Sequence, residues 1–266
     1  MGYFESIRLT ELDIVLDEIK GEMPGGNFIL EIGGGTGWQA KKLSERGYAV
    51  EAIDIPQSMF SEQRIWPITD YDGKQIPFPN DHFDMVFSSS VLEHIAHLDE
   101  FQSEIKRVLK SNGLALHVVP SGSWRFWTNL VHYPFIVKTL VKLVFGKVAA
   151  SMSSTSPNEM ESLALSQMKR FSKQTIIKRA IFPPRHGEKG SAISEIYYFS
   201  RRNWLDMFRK SGWEIEKVSS NRLFYTGHMI FGQALSIQSR RKLSYILGSS
   251  CHIFRLRKKN ISPSQQ

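Results

Sequence analysis

Cysteine is almost absent from this chain: Cys251 is the only one in 266 residues. A lone thiol cannot close an internal disulfide, which excludes a disulfide-stapled fold and fits a reducing compartment. Also missing is any uninterrupted apolar run of the roughly 20 residues that a membrane-spanning helix needs. The nearest stretch, Phe135 to Phe145, is interrupted by Lys138 and Lys142. The first twenty residues are charged throughout and lack the apolar run of a secretory signal. These absences lead to the expectation of a cytoplasmic chain, peripheral to a membrane at most. Acidic residues are missing from position 222 onward, where Arg222, Arg240, Arg241, Lys242, Arg255, Arg257, Lys258 and Lys259 lie. The formal charge is +8, so residues 1–221 balance to zero and the whole excess sits in that last stretch. Residues 237–266 therefore read as a basic tail. Such a tail is either simply soluble or attracted to anionic lipid or nucleic acid.

What the chain does have is an ordinary globular composition, 41% hydrophobic, enough for one sizeable core. Leu9, Leu12, Val15, Leu16 and Ile19 recur at helical spacing and predict a first amphipathic helix. A turn at Pro24 to Asn27 leads into a buried strand, Phe28 to Ile32. A helix over 38–46 then ends at Gly47, and a second strand, Ala49 to Ile53, ends on Asp54. Strand, helix, strand in this order implies parallel pairing with a right-handed crossover. The pattern continues with a helix over 57–64, a short third strand within Ile65 to Asp72, and a fourth strand over Phe83 to Ser88. A helix from Val91 to Leu109 and a fifth strand from Leu114 to Val119 follow. The alternation then stops. Residues 121–195 read as a mostly helical insert, after which Ser200 caps a helix over 201–210. Trp213 to Val218 and Leu223 to Phe231 are the expected closing strands. The fold class expected is α/β, a doubly wound Rossmann-like seven-stranded sheet over residues 1–236 with the insert after the fifth strand.

The strongest chemical signal is Glu31-x-Gly33-x-Gly35-x-Gly37 at the end of the first strand. Glycine lets a backbone turn sharply and approach a ligand closely. A dinucleotide loop would place its third glycine at position 38, which is Trp38, so this loop does not spell a pyrophosphate cradle. Asp54 stands 21 residues after Gly33, at the end of the second strand. An acid there can accept hydrogen bonds from both ribose hydroxyls, or else merely cap a following helix. Further along come Asp72-Gly73-Lys74-Gln75-Ile76-Pro77-Phe78, Phe83-Asp84 opening the fourth strand, and Leu92-Glu93-His94 after it.

In this order, over about residues 28–120, these pieces resemble the class I S-adenosylmethionine-dependent methyltransferases. The likeness is to the small-molecule branch that includes quinone-biosynthesis enzymes, with its methyltransferase type 11-like domain. The resemblance implies S-adenosyl-L-methionine as cofactor. It implies that Glu31 and the backbone of Gly33, Gly34, Gly35 and Gly37 hold the methionine end. It places Asp54 on the ribose, Ile55 against the adenine, Asp72 and Gly73 at the adenine amino group, and Ser88 and Ser89 on the floor near the methyl donor.

A methyl transfer needs mainly alignment of a nucleophile with the donor, plus a base if the acceptor is a hydroxyl. His186, in the Pro183-to-Glu188 loop of the insert, is the candidate base, with a plain surface loop as the alternative. No metal is expected: His94 and His97 could pair on an ion but read better as a packed and a solvated histidine. The expected partner is a small-molecule, lipid-like or glycan acceptor, methylated at oxygen. Peripheral contact with an anionic membrane is a further expectation. The rival readings are an RNA methyltransferase, which lacks a nucleic-acid-binding motif here, and a non-catalytic S-adenosylmethionine-binding protein.

Overall fold

The structure, a computed structural model, describes residues 3–20, 26–134, 183–226 and 234–259. Its centre is a seven-stranded sheet of β1 (Phe28–Ile32), β2 (Ala49–Asp54), β3 (Thr69–Asp70), β4 (Phe83–Ser89), β5 (Leu109–Pro120), β6 (Trp213–Ser220) and β7 (Cys251–Lys258). The strand order is β3-β2-β1-β4-β5-β7-β6. The first five strands are parallel, and β7 runs antiparallel to both β5 and β6.

Successive strand residues point to opposite faces, and both faces are apolar here, as a sheet covered by helices on both sides requires. Leu30, Val86, Ala115 and Phe254 belong to the core on one face. Ile29, Met85, Leu116 and Ile253 belong to the core on the other. The first face is covered by α3 (Leu98–Val108), which buries Phe101, Gln102, Ile105 and Val108. Its first turn carries Asp99 and Glu100 and its last turn Lys106 and Arg107, which suits the helix dipole. Beside it lies α5 (Arg201–Lys210), where the Ser200 side chain accepts a hydrogen bond from the Asn203 amide. The second face is covered by α1 (Tyr3–Ile19), through Ile7, Leu12, Val15 and Ile19, and by α2 (Trp38–Ser44), through Leu43. The helix that opens the insert, α4, runs over 122–134. The rest of the insert, 135–182, lies outside the described residues, and with it the apolar Phe135 to Phe145 stretch.

Three expectations are corrected. The helix expected over 57–64 is only a 3-10 turn at Ser61–Gln63. Met59 and Phe60 are exposed there, so the segment has no apolar stripe to bury. The helix expected from Val91 to Leu109 is split into a 3-10 turn at Leu92–His94 and α3, because Ile95 is extended. The largest correction concerns the expected tail. Residues 251–258 form β7, inserted between β5 and β6 in place of the strand expected over Leu223 to Phe231. Residues 223–226 form no strand, and 227–231 lie outside the described residues.

Part of the basic charge of this stretch is thereby built into the domain. Arg255 and Arg257 share the Glu216 carboxylate at 2.9 and 2.5 Å, and Lys258 reaches Asp81 at 3.1 Å. Arg240, in α6 (Ile237–Leu247), is fully buried and donates to the carbonyls of Phe224 and Tyr225. The acids that pair with Arg255, Arg257 and Lys258 lie more than 30 residues away in sequence, so a local charge count reads the segment as free. Among the described residues no helix is long and apolar enough to cross a membrane.

The β7 assignment predicts unequal costs in urea denaturation. Phe254→Ala, which empties a fully buried ring site against Phe208, should cost about 3–5 kcal/mol. Arg257→Ala, whose side chain is partly exposed, should cost less than about 1 kcal/mol. A detached tail would show no loss in either variant.

Candidate functional site

The ends of β1, β2, β4 and β5 open into a cavity of about 1160 Å³. This is the carboxyl edge of a parallel sheet, where ligands bind in open α/β folds. Gly33 and Gly37 shape the loop after β1. Gly33 has φ +74°, and a Cβ on it would stand 2.3 Å from Val91; Gly37 has φ +80°, and a Cβ would stand 2.4 Å from Trp66. Any side chain at either position would both strain the backbone and collide. The Gly33 and Gly34 amides donate to the Ile53 carbonyl, which ties the loop to the end of β2.

Asp54 completes that tie. Its Oδ2 accepts from the Gly35 amide at 2.9 Å and its Oδ1 from the Ile55 amide at 2.8 Å. Each carboxylate oxygen keeps further acceptor capacity, and the group lies on the cavity wall. Across the cavity Asp72 is exposed. Its Oδ1 accepts from the Lys74 and Gln75 amides, both at 2.8 Å, and these bonds hold its carboxyl below the usual range.

Of the residues singled out in the sequence, the structure brings Gly33, Gly34, Gly35, Asp54, Ile55, Asp72, Gly73, Ser89 and His186 to the lining of one cavity. Ser88 is a correction. It lies next to Ser89 on β4 and so faces the opposite side of the sheet, where it is fully buried with its Oγ 2.8 Å from His117 Nδ1. Burial pushes the His117 imidazole down to about 3, so this pair is neutral and part of the interior. Gly37 turns the chain into α2 behind the wall. Glu31 sits below the loop with 1% of its surface exposed. Burial pushes its carboxyl up to about 8; the Ala40 amide and Arg8 pull it back, and Asp54 adds to the push.

Two groups of wall residues escaped the sequence reading. One comes from α1: Arg8 donates to Ser89 Oγ at 2.9 Å and pairs with Glu11 at 2.6 Å. Glu11 in turn accepts from Asn221 at 2.8 Å and from the Tyr225 hydroxyl. Nothing in the apolar spacing of α1 marks these two charges as inward-facing. The other is Glu93, the middle residue of Leu92-Glu93-His94. Its side chain is fully buried, and neither carboxylate oxygen has a hydrogen-bond partner. His94 Nε2 lies 3.8 Å and His186 Nε2 3.6 Å from Glu93 Oε1. His97, weighed as a partner of His94, is instead the residue preceding α3.

His186 is held there by a buried device of the insert. Glu195, fully buried, accepts from the His186 and Gly187 amides at 2.7 Å each through Oε1. Its Oε2 lies 2.7 Å from Arg125 Nε, and Arg125 also donates to the Pro184 carbonyl at 2.5 Å. The His186 ring then packs at 4.8 Å between centroids against both Trp124 and His94.

A family profile described as a methyltransferase domain matches residues 30–117. The biotin biosynthesis bifunctional protein BioHC of Cellvibrio japonicus is 37% identical over 92 residues, covering 33% of this chain and 18% of that one. The ubiquinone/menaquinone biosynthesis C-methyltransferase UbiE of Cupriavidus necator is 31% identical over 111 residues, covering 38% of this chain and 46% of that one. The chain thus spans less than half the length of these relatives. The crystal structure of an S-adenosylmethionine-dependent methyltransferase from Mesorhizobium loti shares the fold, with a TM-score of 0.51 at 14% identity, covering 97% of this chain and all of that one.

Glu31 gives a test that needs no substrate. Its folded-state carboxyl titrates above its unfolded one, so its contribution to stability is fully present below the ordinary carboxylate range and is lost as pH rises through about 8. Glu31→Gln keeps a neutral hydrogen-bonding group and cannot ionise. Urea denaturation from about pH 5 to about pH 9 should show wild type losing stability relative to the variant as pH rises. Parallel profiles would place the Glu31 carboxyl in the ordinary range.

Proposed function

We propose that this chain, which carries a class I S-adenosylmethionine-dependent methyltransferase domain, transfers the cofactor's methyl group to a small organic acceptor in the cavity described above. The observation that carries the reading is the loop after β1, locked by hydrogen bonds to Asp54 and Ile53 while its glycines open onto the cavity. Bound there, the cofactor supplies an electrophilic methyl on a sulfonium, whose S–C bond breaks as the bond to the acceptor forms.

The chain's own residues then have three tasks. The Gly33 to Gly35 backbone and Asp54 hold the donor, with Ile55, Asp72 and Gly73 at its base end and Glu31 supporting the loop from below. Arg8 and Ser89, joined to each other at 2.9 Å, border the space between donor and acceptor. Trp124, packed on His186, gives that space an apolar side suited to a lipid-like molecule rather than a free sugar. Oxygen is the proposed acceptor atom. The His186 imidazole stands beside the Glu93 carboxylate in the cavity, placed to take a hydroxyl proton and to be stabilised once it has done so. Methylation at carbon is the second reading, favoured by one finding: the relative UbiE is a C-methyltransferase by name. The basic residues of β7 that suggested a membrane or RNA partner are occupied by Glu216 and Asp81, which supports a small-molecule acceptor.

Incubation with methyl-labelled S-adenosylmethionine and cell extract, followed by separation into lipid, glycan, small-molecule and RNA fractions, tests the reading. Label in a small or lipid-like molecule is expected. Label in RNA would overturn the acceptor class, and cofactor binding without any transfer would leave a non-catalytic binding protein. On the labelled acceptor, His186→Ala should lower turnover by about 10²–10⁴ and leave cofactor affinity unchanged. Normal turnover in that variant across pH would remove the imidazole from the reaction.

A further inference from the structure

We infer that Glu93, His94 and His186 form a binding site for a divalent first-row metal ion of the zinc or cobalt type, open to the acceptor side of the cavity. The site itself is independent of the methyl-transfer reading; only its use toward an acceptor rests on that reading.

The first observation is electrostatic. Glu93 is fully buried, and neither of its oxygens accepts a hydrogen bond. A carboxylate stripped of water and left unbonded costs several kcal/mol, a cost that a bound cation would offset. No lysine or arginine pairs with it: among the described residues its ion-pair partners are the two imidazoles, and the buried Cys251 thiol also lies within reach of its charge. Their Nε2 atoms lie 3.6 and 3.8 Å from Oε1, too far for hydrogen bonds.

The second observation is metric. One ligand atom from each of the three residues falls within 4.8 Å of the others. A tetrahedral ion with bonds of about 2.1 Å spaces its ligand atoms about 3.4 Å apart. The two distances from Glu93 Oε1, 3.6 and 3.8 Å, exceed that spacing by a few tenths of an ångström, and the widest spacing in the triad would close by up to about 1.4 Å on binding, a movement that side-chain rotation of the two imidazoles supplies.

The third observation is that the ligands are held in advance. Glu93 and His94 are consecutive on a turn closed by the extended Ile95. The Glu93 carbonyl accepts from the Glu188 amide at 2.8 Å, which docks the insert loop on that turn. Gly187 is required for this approach, since a Cβ there would stand 2.8 Å from the Glu93 carbonyl oxygen. Glu195 and Arg125 then fix the same loop from the other side. Two parts of the chain more than 90 residues apart are thus clamped so that three donors converge.

The donor set selects the ion. Two imidazoles and one carboxylate suit zinc, cobalt or ferrous iron, whereas magnesium and calcium prefer oxygen ligands. Three protein ligands leave at least one coordination position, as in reactive rather than structural sites. The neighbouring cavity wall, with Trp124 and Ser89, is where an acceptor oxygen would take it. An ion there would acidify a bound hydroxyl so that its proton passes to solvent; His186 would then serve as a ligand, and the base role given to it above belongs to the ion-free site.

The test uses the full, untagged chain stripped with a chelator and titrated with CoCl2, following the visible absorption of the ion and the heat of binding. One cobalt ion per chain is expected, displaced by zinc and not by magnesium at equal concentration. Glu93→Gln and His94→Ala should each weaken cobalt binding at least about tenfold; His94 is partly exposed, so its loss does not threaten folding. Lys42→Ala, at a surface ion pair of α2 outside the site, should bind cobalt as wild type does. Absence of cobalt binding in the folded wild type, or unchanged affinity in both ligand variants, would overturn the site. S-adenosylmethionine affinity measured on the same samples separates the two readings. Cofactor binding that persists where cobalt does not bind overturns the ion site alone, and loss of both overturns the domain reading with it.

Discussion

The carboxylate of Asp54 joins the two strands on which the site is built. One oxygen holds the amide of Gly35, at the tip of the loop after β1, and the other holds the amide of Ile55, the first residue beyond β2. The loop would otherwise be a run of glycines, costly to order because each can adopt so many conformations. Anchoring it at both the Ile53 carbonyl and the Asp54 side chain settles its shape before any ligand arrives. Charge-assisted bonds of this kind are among the stronger hydrogen bonds in proteins. The same anion that organises the loop is left facing the cavity, so one residue serves both the fold and the proposed cofactor site.

The other half of the cavity is assembled from distant segments by buried charges. Glu11 gathers Arg8, Asn221 and Tyr225 beneath Ser89. Glu195 gathers Arg125 and the His186 loop. Each acid is almost or fully buried and has several polar partners, the arrangement in which a buried charge is tolerated and its removal is expensive. Glu93 is the exception, buried and unbonded.

How much of this could be read from sequence depended on distance along the chain. Phe28 to Ile32, Ala49 to Asp54 and Phe83 to Ser89 announce themselves through mainly apolar runs, each holding one internal acid and ended by glycine, aspartate or serine, and they occupy the strands that those runs imply. The Ser200 cap and Gly212 stop likewise mark α5. The Gly33 to Gly37 loop, Asp54 and Asp72 were legible because their chemistry is local: each acts within a few residues of a strand end. The failures were non-local. β7 was hidden because Arg255, Arg257 and Lys258 lend it a tail-like charge, and their neutralising partners Glu216 and Asp81 come from elsewhere. Ser88 was misplaced because two adjacent serines look equivalent in sequence, while the strand sends them to opposite faces. Glu93 went unweighed beside His94 because only the fold shows it to be buried, and only the fold brings His186 to it.

The central claim is that the glycine loop and Asp54 bind S-adenosylmethionine rather than a dinucleotide. Calorimetric titration of the cofactor into wild type and Asp54→Ala, with NAD as the competitor, tests it most directly. The account predicts tight binding of S-adenosylmethionine to wild type and no competition by NAD. In a variant that remains folded, it predicts an affinity loss of about 1–3 kcal/mol, roughly 5- to 150-fold. Unchanged affinity in the folded variant, or preferential binding of NAD, would contradict it.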